Sequence, residues 1–194
     1  MIKTKIKKGA RKKFFEVKIP LTAAKVHLYG YLQEELEGST VKLDLTRSLK
    51  GKNLELRARV KLRENELVGE LISLQLLQSY IKKIMRRGIN YVEDSFEVEC
   101  KDAKLVIKPF LITRKKVSRK VRSFIRETAK KYLIAKAKIR TSEELFSEII
   151  ANKLQKELSL KIKKIYPLGL CEIRMLKVIG KIEKDKAKIE EEKK

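Results

Sequence analysis

The sequence predicts an α+β fold built on an antiparallel sheet. Three observations carry that reading: two stretches of strict apolar–charged alternation, a long stretch of helical periodicity over residues 114–140, and a Thr-x-x-Glu helix start directly after it. The 194 residues suit one domain with basic extensions, and a 43% hydrophobic content is enough to fill a core.

Taken in order, residues 1–13 read as a basic arm. Lys3, Lys5, Lys7, Lys8, Arg11, Lys12 and Lys13 occur there without an acid, so the segment stays disordered until an anion orders it. Phe14 to Ile19 is aromatic and β-branched and reads as a strand, which Pro20 ends and places at a sheet edge. Val41, Leu43 and Leu45 alternate with Lys42 and Asp44. After residues 50–53 the alternation resumes, with Leu54, Leu56, Ala58, Val60 and Leu62 against Glu55, Arg57, Arg59 and Lys61. The pair forms an antiparallel hairpin with its apolar face inward.

Leu74, Leu77, Ile81, Ile84 and Met85 fall at helical spacing and predict a helix over 73–87. Gly88 stops it, with Arg86 and Arg87 in the last turn, where cations suit the helix dipole. Phe96, Val98 and Cys100, then Leu105 and Ile107, predict a second hairpin turning at Lys101-Asp102. Pro109 marks an edge or a bulge in it.

Residues 114–140 hold twelve Lys or Arg against one acid, Glu127. The stretch is also amphipathic. Val117, Val121, Phe124, Ile125 and Tyr132 make an apolar face, while Arg119, Arg122, Arg126 and Lys130 recur on another. Such a helix docks by one face and presents a basic ridge. Thr141 and Glu144 form a capping box for the next helix, whose stripe is Leu145, Ile149, Ile150, Leu154 and Leu158. Tyr166 to Gly169 breaks that helix. Cys171, Ile173, Met175 or Leu176, and Val178 read as a last strand, and residues 181–194 as a charged tail.

Charge decides the partner class. Lys and Arg total 49 against 25 acids, for a net +24. Neutralising phosphates releases condensed counterions, so nucleic acid is the natural partner. A membrane surface is disfavoured, because the basic stretches lack the Trp-rich apolar face of an interfacial helix. No run of about 18 apolar residues could span a bilayer. The basic start has no apolar core of a signal peptide, and two distant cysteines make no disulfide framework, so a reducing, cytoplasmic setting is expected.

No catalytic, metal or cofactor site is expected. The eight glycines form neither GxxxxGK[ST] nor GxGxxG. The single histidine, His27, reads as a surface or strand residue, and Cys100 and Cys171 as core. The neighbouring acids Glu34-Glu35 and Glu143-Glu144 read as solvated faces or helix starts. The one-signed basic excess favours phosphate contact over plain solvation, since salt-paired surface helices alternate signs. The expected nucleic-acid-binding residues are Lys5, Lys7, Lys8, Arg11, Lys12 and Lys13 of the arm, Arg86 and Arg87, and Arg114, Lys115, Lys116, Arg119, Lys120, Arg122, Arg126 and Lys130. With 6% aromatics and no RNP1-like motif, an RRM is not predicted. A free chromosomal or RNA-chaperone protein, and an RNA-modifying enzyme, are the rival classes.

Several segments, in order, resemble one family. They are Lys12-Lys13-Phe14-Phe15-Glu16-Val17-Lys18-Ile19-Pro20, then Gly38-Ser39-Thr40-Val41-Lys42-Leu43-Asp44-Leu45, then Ser79-Tyr80-Ile81-Lys82-Lys83. The most specific are Ile165-Tyr166-Pro167-Leu168 and Glu172-Ile173-Arg174-Met175-Leu176-Lys177-Val178. The set is similar to the archaeal and eukaryotic small-subunit ribosomal protein eS1 family. The Phe14-Phe15 pair stands where Trp-Tyr is common. The shorter segment after Thr113 and the lack of a long C-terminal extension point to the archaeal type.

The resemblance implies a β-barrel-like core with flanking α-helices, a structural and non-enzymatic role, and a place on the platform of the small subunit. That place is near the messenger exit and the 3′ end of the small-subunit rRNA, with other ribosomal proteins as neighbours and messenger as a further contact. The expected architecture is thus a single rRNA-binding domain over 14–180, its sheet curled into a barrel and packed with three helices, between the arm 1–13 and the tail 181–194.

Overall fold

A computed structural model describes residues 11–22, 25–49, 52–63 and 66–181. Lys5, Lys7 and Lys8 of the arm, and the tail beyond residue 181, lie outside the described residues. The chain divides into two compact units, residues 1–43 with 56–72, and residues 44–55 with 73–194.

In the first unit β1 (Lys13–Lys18) pairs antiparallel with β2 (Lys25–Gly30), Phe14 opposite Tyr29 and Val17 opposite Val26. On β5 (Glu66–Leu76), Leu67 lies opposite Val17 in a parallel pair. β1 is therefore an interior strand, not the edge strand that Pro20 suggested. It ends at Lys18, so the missing N–H of Pro20 falls outside the ladder and leaves both sides of β1 free to pair. β3 (Thr40–Asp44) and β4 (Leu54–Arg63) make the expected hairpin. Val60 N–H donates to Ser39 O and Leu45 N–H to Leu54 O, an antiparallel register. Leu54, Leu56, Ala58 and Val60 are all at most 1% exposed, as the alternation requires.

In the second unit β9 (Leu168–Lys181) runs between β5 and β8 (Ala103–Thr113), antiparallel to both. The outer side of β8 takes β6 (Tyr91–Glu93) and β7 (Phe96–Glu99). The ladder of β8 and β9 shifts register between Lys108 and Pro109, so the proline sits at a bulge in a central strand.

The fold is α+β, but its sheet is open and not a barrel. The strand path β2-β1-β5-β9-β8-β6 has two unpaired ends, with β3, β4 and β7 branching from it. Closure is not needed to bury the apolar face of β6 to β9, because helices cover it. α2 (Arg119–Ile139) packs on β6 and β7, and α4 (Lys153–Lys163) packs on β9. Truncating a fully buried side chain of that layer, such as Leu133, to Ala would cost about 2–5 kcal/mol.

Two helix expectations need correction. Residues 73–76 belong to β5, and α1 covers only Gln78–Ile84. Leu74 and Leu76 are buried with strand spacing, and Ser73 to Gln75 pair with β9, so the ladder overrides the helical spacing that begins at Leu74. Arg86 and Arg87 therefore follow the helix and do not stand in its last turn. The helix expected after Thr141 is two helices, α3 (Ser142–Ile150) and α4, which makes four α-helices among the described residues. Asn152 breaks the run with φ 58°, a left-handed conformation that asparagine tolerates. The carbonyl of Ile149 accepts from Asn152 N–H at 3.1 Å and from Gln155 Nε2 at 2.9 Å.

One ion pair is buried in the second unit. Lys52 Nζ lies 2.5 Å from Glu172 on β9 and donates to Asn152 Oδ1 at 2.7 Å. Both charged side chains are about nine-tenths buried. The pair ties the chain before β4 to the α3–α4 junction and to β9.

Candidate nucleic-acid interface

The basic residues read from the sequence lie far apart along the chain, and one buried threonine gathers part of them. Thr113 is fully buried at the end of β8. Its N–H donates to Asn90 O at 2.9 Å, and Asn90 N–H donates back to Thr113 Oγ1 at 3.1 Å. Asn90 Oδ1 then accepts from Val117 N–H at 2.8 Å. Asn90 therefore clamps the loop 114–118. The turn at Gly88, φ 86°, brings Arg86 and Arg87 in just before the clamp, and Arg114, Lys115 and Lys116 leave just after it. All five are exposed. Arg114 Nε makes one long bond to Leu168 O, 3.4 Å, and among the described residues none of the five meets an acid.

α2 begins where this loop ends. Ser118 caps it, its Oγ accepting from Val121 N–H at 3.4 Å. Arg119 and Lys120 follow in the first turn, with no acid there. Cations at the positive end of a helix dipole cost about 0.3–1 kcal/mol each. An anion bound at the loop would offset that cost, and phosphate at a helix start also finds free amides.

Further along α2 the ridge is only partly as expected. Arg126 and Lys130 are exposed, and Lys130 Nζ sits 5.7 Å over the Phe96 ring. Arg122 is half-buried, and its Nε has no hydrogen-bond partner. Phe124, expected on the apolar face, is 56% exposed. The buried stripe is Ile125, Ala129, Leu133 and Ala137, at four-residue steps, so two alanines hold positions that bulk hydrophobicity does not mark. Toward the C-terminal end of α2 two cations are neutralised. Lys136 pairs with Glu157 at 2.8 Å, and Arg140 with Glu148 at 3.2 Å. Tyr132 OH also donates to Glu157, at 2.5 Å, and burial with this contact pushes its phenol pKa up.

Residues 11–13 of the arm belong to the first unit. Arg11, Lys12 and Lys13 are exposed, and Lys13 opens β1. Lys12 Nζ lies 5.5 Å and 5.2 Å from the ring centres of Tyr29 and Tyr31. Composition gave no reason to single out these aromatics, but the alternation Lys25, His27, Tyr29 against Val26 and Leu28 does mark them as the outward face of a strand.

The sequence profile of the Ribosomal S3Ae family matches residues 2–181. The chain belongs to this family. Three archaeal proteins named small ribosomal subunit protein eS1 are similar to this S3Ae-family chain. That of Nanoarchaeum equitans is 29% identical over 167 residues, 81% of this chain and 83% of the relative. That of Methanothermobacter thermautotrophicus is 31% identical over 116 residues, 59% of this chain and 60% of the relative. A Saccharolobus islandicus protein is 28% identical over 116 residues, 59% of this chain and 56% of the relative.

Chemistry beyond charge is sparse in this S3Ae-family chain. Among the described residues no cluster of three His, Cys, Asp or Glu could hold a metal. No described helix is long and apolar enough to cross a membrane. His27 is exposed on β2. Burial, aided by the charge of a neighbouring acid, pushes the Cys100 and Cys171 thiols up to about 12, so neither is a thiolate at neutral pH.

Proposed function

We propose that this S3Ae-family chain is a structural constituent of the small ribosomal subunit that binds and stabilises rRNA. The observation that carries the reading is the Asn90–Thr113 clamp. It gathers Arg86, Arg87, Arg114, Lys115 and Lys116 at the start of a helix whose first turn is also basic. Such a surface suits folded RNA, which is held largely through shape, phosphate and 2′-OH contacts. The relatives' names supply the subunit. As a member of a ribosomal protein family the chain is a structural component and not an enzyme, and its place is the cytoplasmic ribosome.

Residues 14–180 act as one rRNA-binding domain on the platform, near the messenger exit and the 3′ end of the rRNA. The arm 1–13, with Lys5, Lys7, Lys8, Arg11, Lys12 and Lys13, threads along phosphates. Arg119, Lys120, Arg122, Arg126 and Lys130 extend the contact along α2. Neighbouring small-subunit proteins, and messenger at the exit, complete the surroundings.

Sucrose-gradient sedimentation of lysate at low and then high salt tests the assignment. The protein should travel with the small subunit and resist moderate salt. Replacing Arg114, Lys116 and Arg119 by Glu should move it toward the top of the gradient. A wild-type chain that stays at the top at both salts would overturn the reading in favour of a free nucleic-acid-binding protein.

A further inference from the structure

The outer face of the β1–β2 ribbon carries side chains that the fold leaves in solvent. Pairing sets Phe14 opposite Tyr29, Glu16 opposite His27 and Lys18 opposite Lys25, and all six are exposed. Phe14 is 72% exposed and Tyr29 56%. Their rings lie 4.9 Å apart at 42°, with Lys12 reaching over Tyr29 and on to Tyr31. The register that buries Val17 obliges Phe14 to face outward, so the two rings are a fixed feature of the surface. A cross-strand pair of Thr or Val would stabilise the ribbon without exposing them.

The surrounding charge selects the ligand. Lys12 is the cation over the rings, and Arg11 and Lys13, both exposed, flank it along the chain. The acid on that face, Glu16, is held by Lys25 at 2.8 Å. Nearby, Glu35 accepts from the Tyr31 amide at 3.3 Å. Flat rings stack on flat π faces, and free cations suit phosphates. Nucleic acid offers both in one polymer. In a duplex the base faces are already stacked, so only unpaired bases can reach the rings.

We propose that Phe14, Tyr29 and Lys12 on the β1–β2 ribbon form a stacking site for unpaired RNA bases. The proposal rests on the RNA-binding reading above and adds a site and a form of ligand to it. Full-length protein is titrated with a short labelled oligouridylate and with a fully paired RNA hairpin of equal charge, its stem closed by a base-free ethylene glycol linker. Phe14→Ala with Tyr29→Ala should weaken single-strand binding by about tenfold or more. Hairpin affinity and the salt slope should hold, because no charge is removed.

The chain has no Trp, so Phe14→Trp installs a single reporter. That variant should keep its affinity, and its fluorescence should be quenched by the single strand and not by the hairpin. Equal losses for both RNAs, or an unquenched Trp, overturn the stacking site. If the wild-type chain binds neither RNA, the RNA-binding reading falls with it. If it binds both and the double variant weakens neither, only the stacking site falls. Loss of subunit incorporation with RNA affinities unchanged would make the face a protein contact and would also overturn the proposal.

Discussion

The two ends of α2 carry cations in different circumstances. At its C-terminal end, acids on α3 and α4 meet Lys136 and the capping residue Arg140. In the first half, Arg119, Lys120 and Arg126 meet no acid among the described residues, and the first two oppose the helix dipole. A helix shaped for stability alone would carry Asp or Glu in that first turn. The contrast separates cations that dock the helix from cations kept available for a polyanion.

The largest effect should come from a cation in neither half, Lys52, which sets the upper limit of what pairing contributes. Lys52→Met leaves Glu172 charged and buried without its partner, and should cost about 3–5 kcal/mol in urea denaturation. Adding Glu172→Leu should return most of that loss. A single variant as stable as wild type would mean that water reaches the pair.

Next in size, Arg114→Glu, Lys116→Glu and Arg119→Glu together should weaken rRNA binding about 100-fold near 0.1 M salt. The slope of log affinity against log salt should fall by roughly one for each phosphate contact removed. An unchanged slope would place the phosphate contacts elsewhere. Arg119→Glu with Lys120→Glu sharpens the comparison, because its two effects should have opposite signs. Thermal stability should rise by about 0.5–2 kcal/mol as the dipole is satisfied, while RNA affinity falls. A fall in both would make these cations structural.

At the other end, Lys136→Ala or Arg140→Ala should cost only about 0.2–1 kcal/mol of stability and leave RNA affinity unchanged. The smallest effect is in pH. Hydrogen bonds from Lys136, and then Tyr132, hold the Glu157 carboxyl below its ordinary value. Its contribution is complete above the unfolded-state pKa near 4.5 and is lost as pH falls through the lower folded value. Hydrogen exchange should show the second half of α2 loosening in acid, and Glu157→Gln should remove that dependence.

Elements whose period matches their burial were legible in the sequence. The β3–β4 alternation, the β7–β8 hairpin, the bulge at Pro109 and the Thr141–Glu144 capping box all appear where their residues place them. Elements with overlapping signals were not. Leu74 serves a strand while sitting at helical distance from Leu77 and Ile81. Asn152 breaks a helix whose apolar stripe, Ile149 to Leu154 and Leu158, runs on past it. β2 was missed because Tyr29 and His27 do not look polar. Of the site, the basic residues were legible as composition. Their gathering was not, because it depends on one hydroxyl and one amide, Thr113 and Asn90, 23 residues apart.

The position of β9 has a consequence for how the chain is made. It is the last strand in the described sequence, yet it lies between β5 and β8. During synthesis β5 and β8 emerge long before the segment that separates them. Until residues 168–181 leave the translating ribosome, both strands present open edges, and Lys52 waits for Glu172. Long-range pairing of this kind is slow and exposes edges to other chains. The second unit therefore completes only once β9 has emerged, and a nascent chain halted at Tyr166 should remain protease-sensitive across β8 while one long enough to free Lys181 from the ribosome should not.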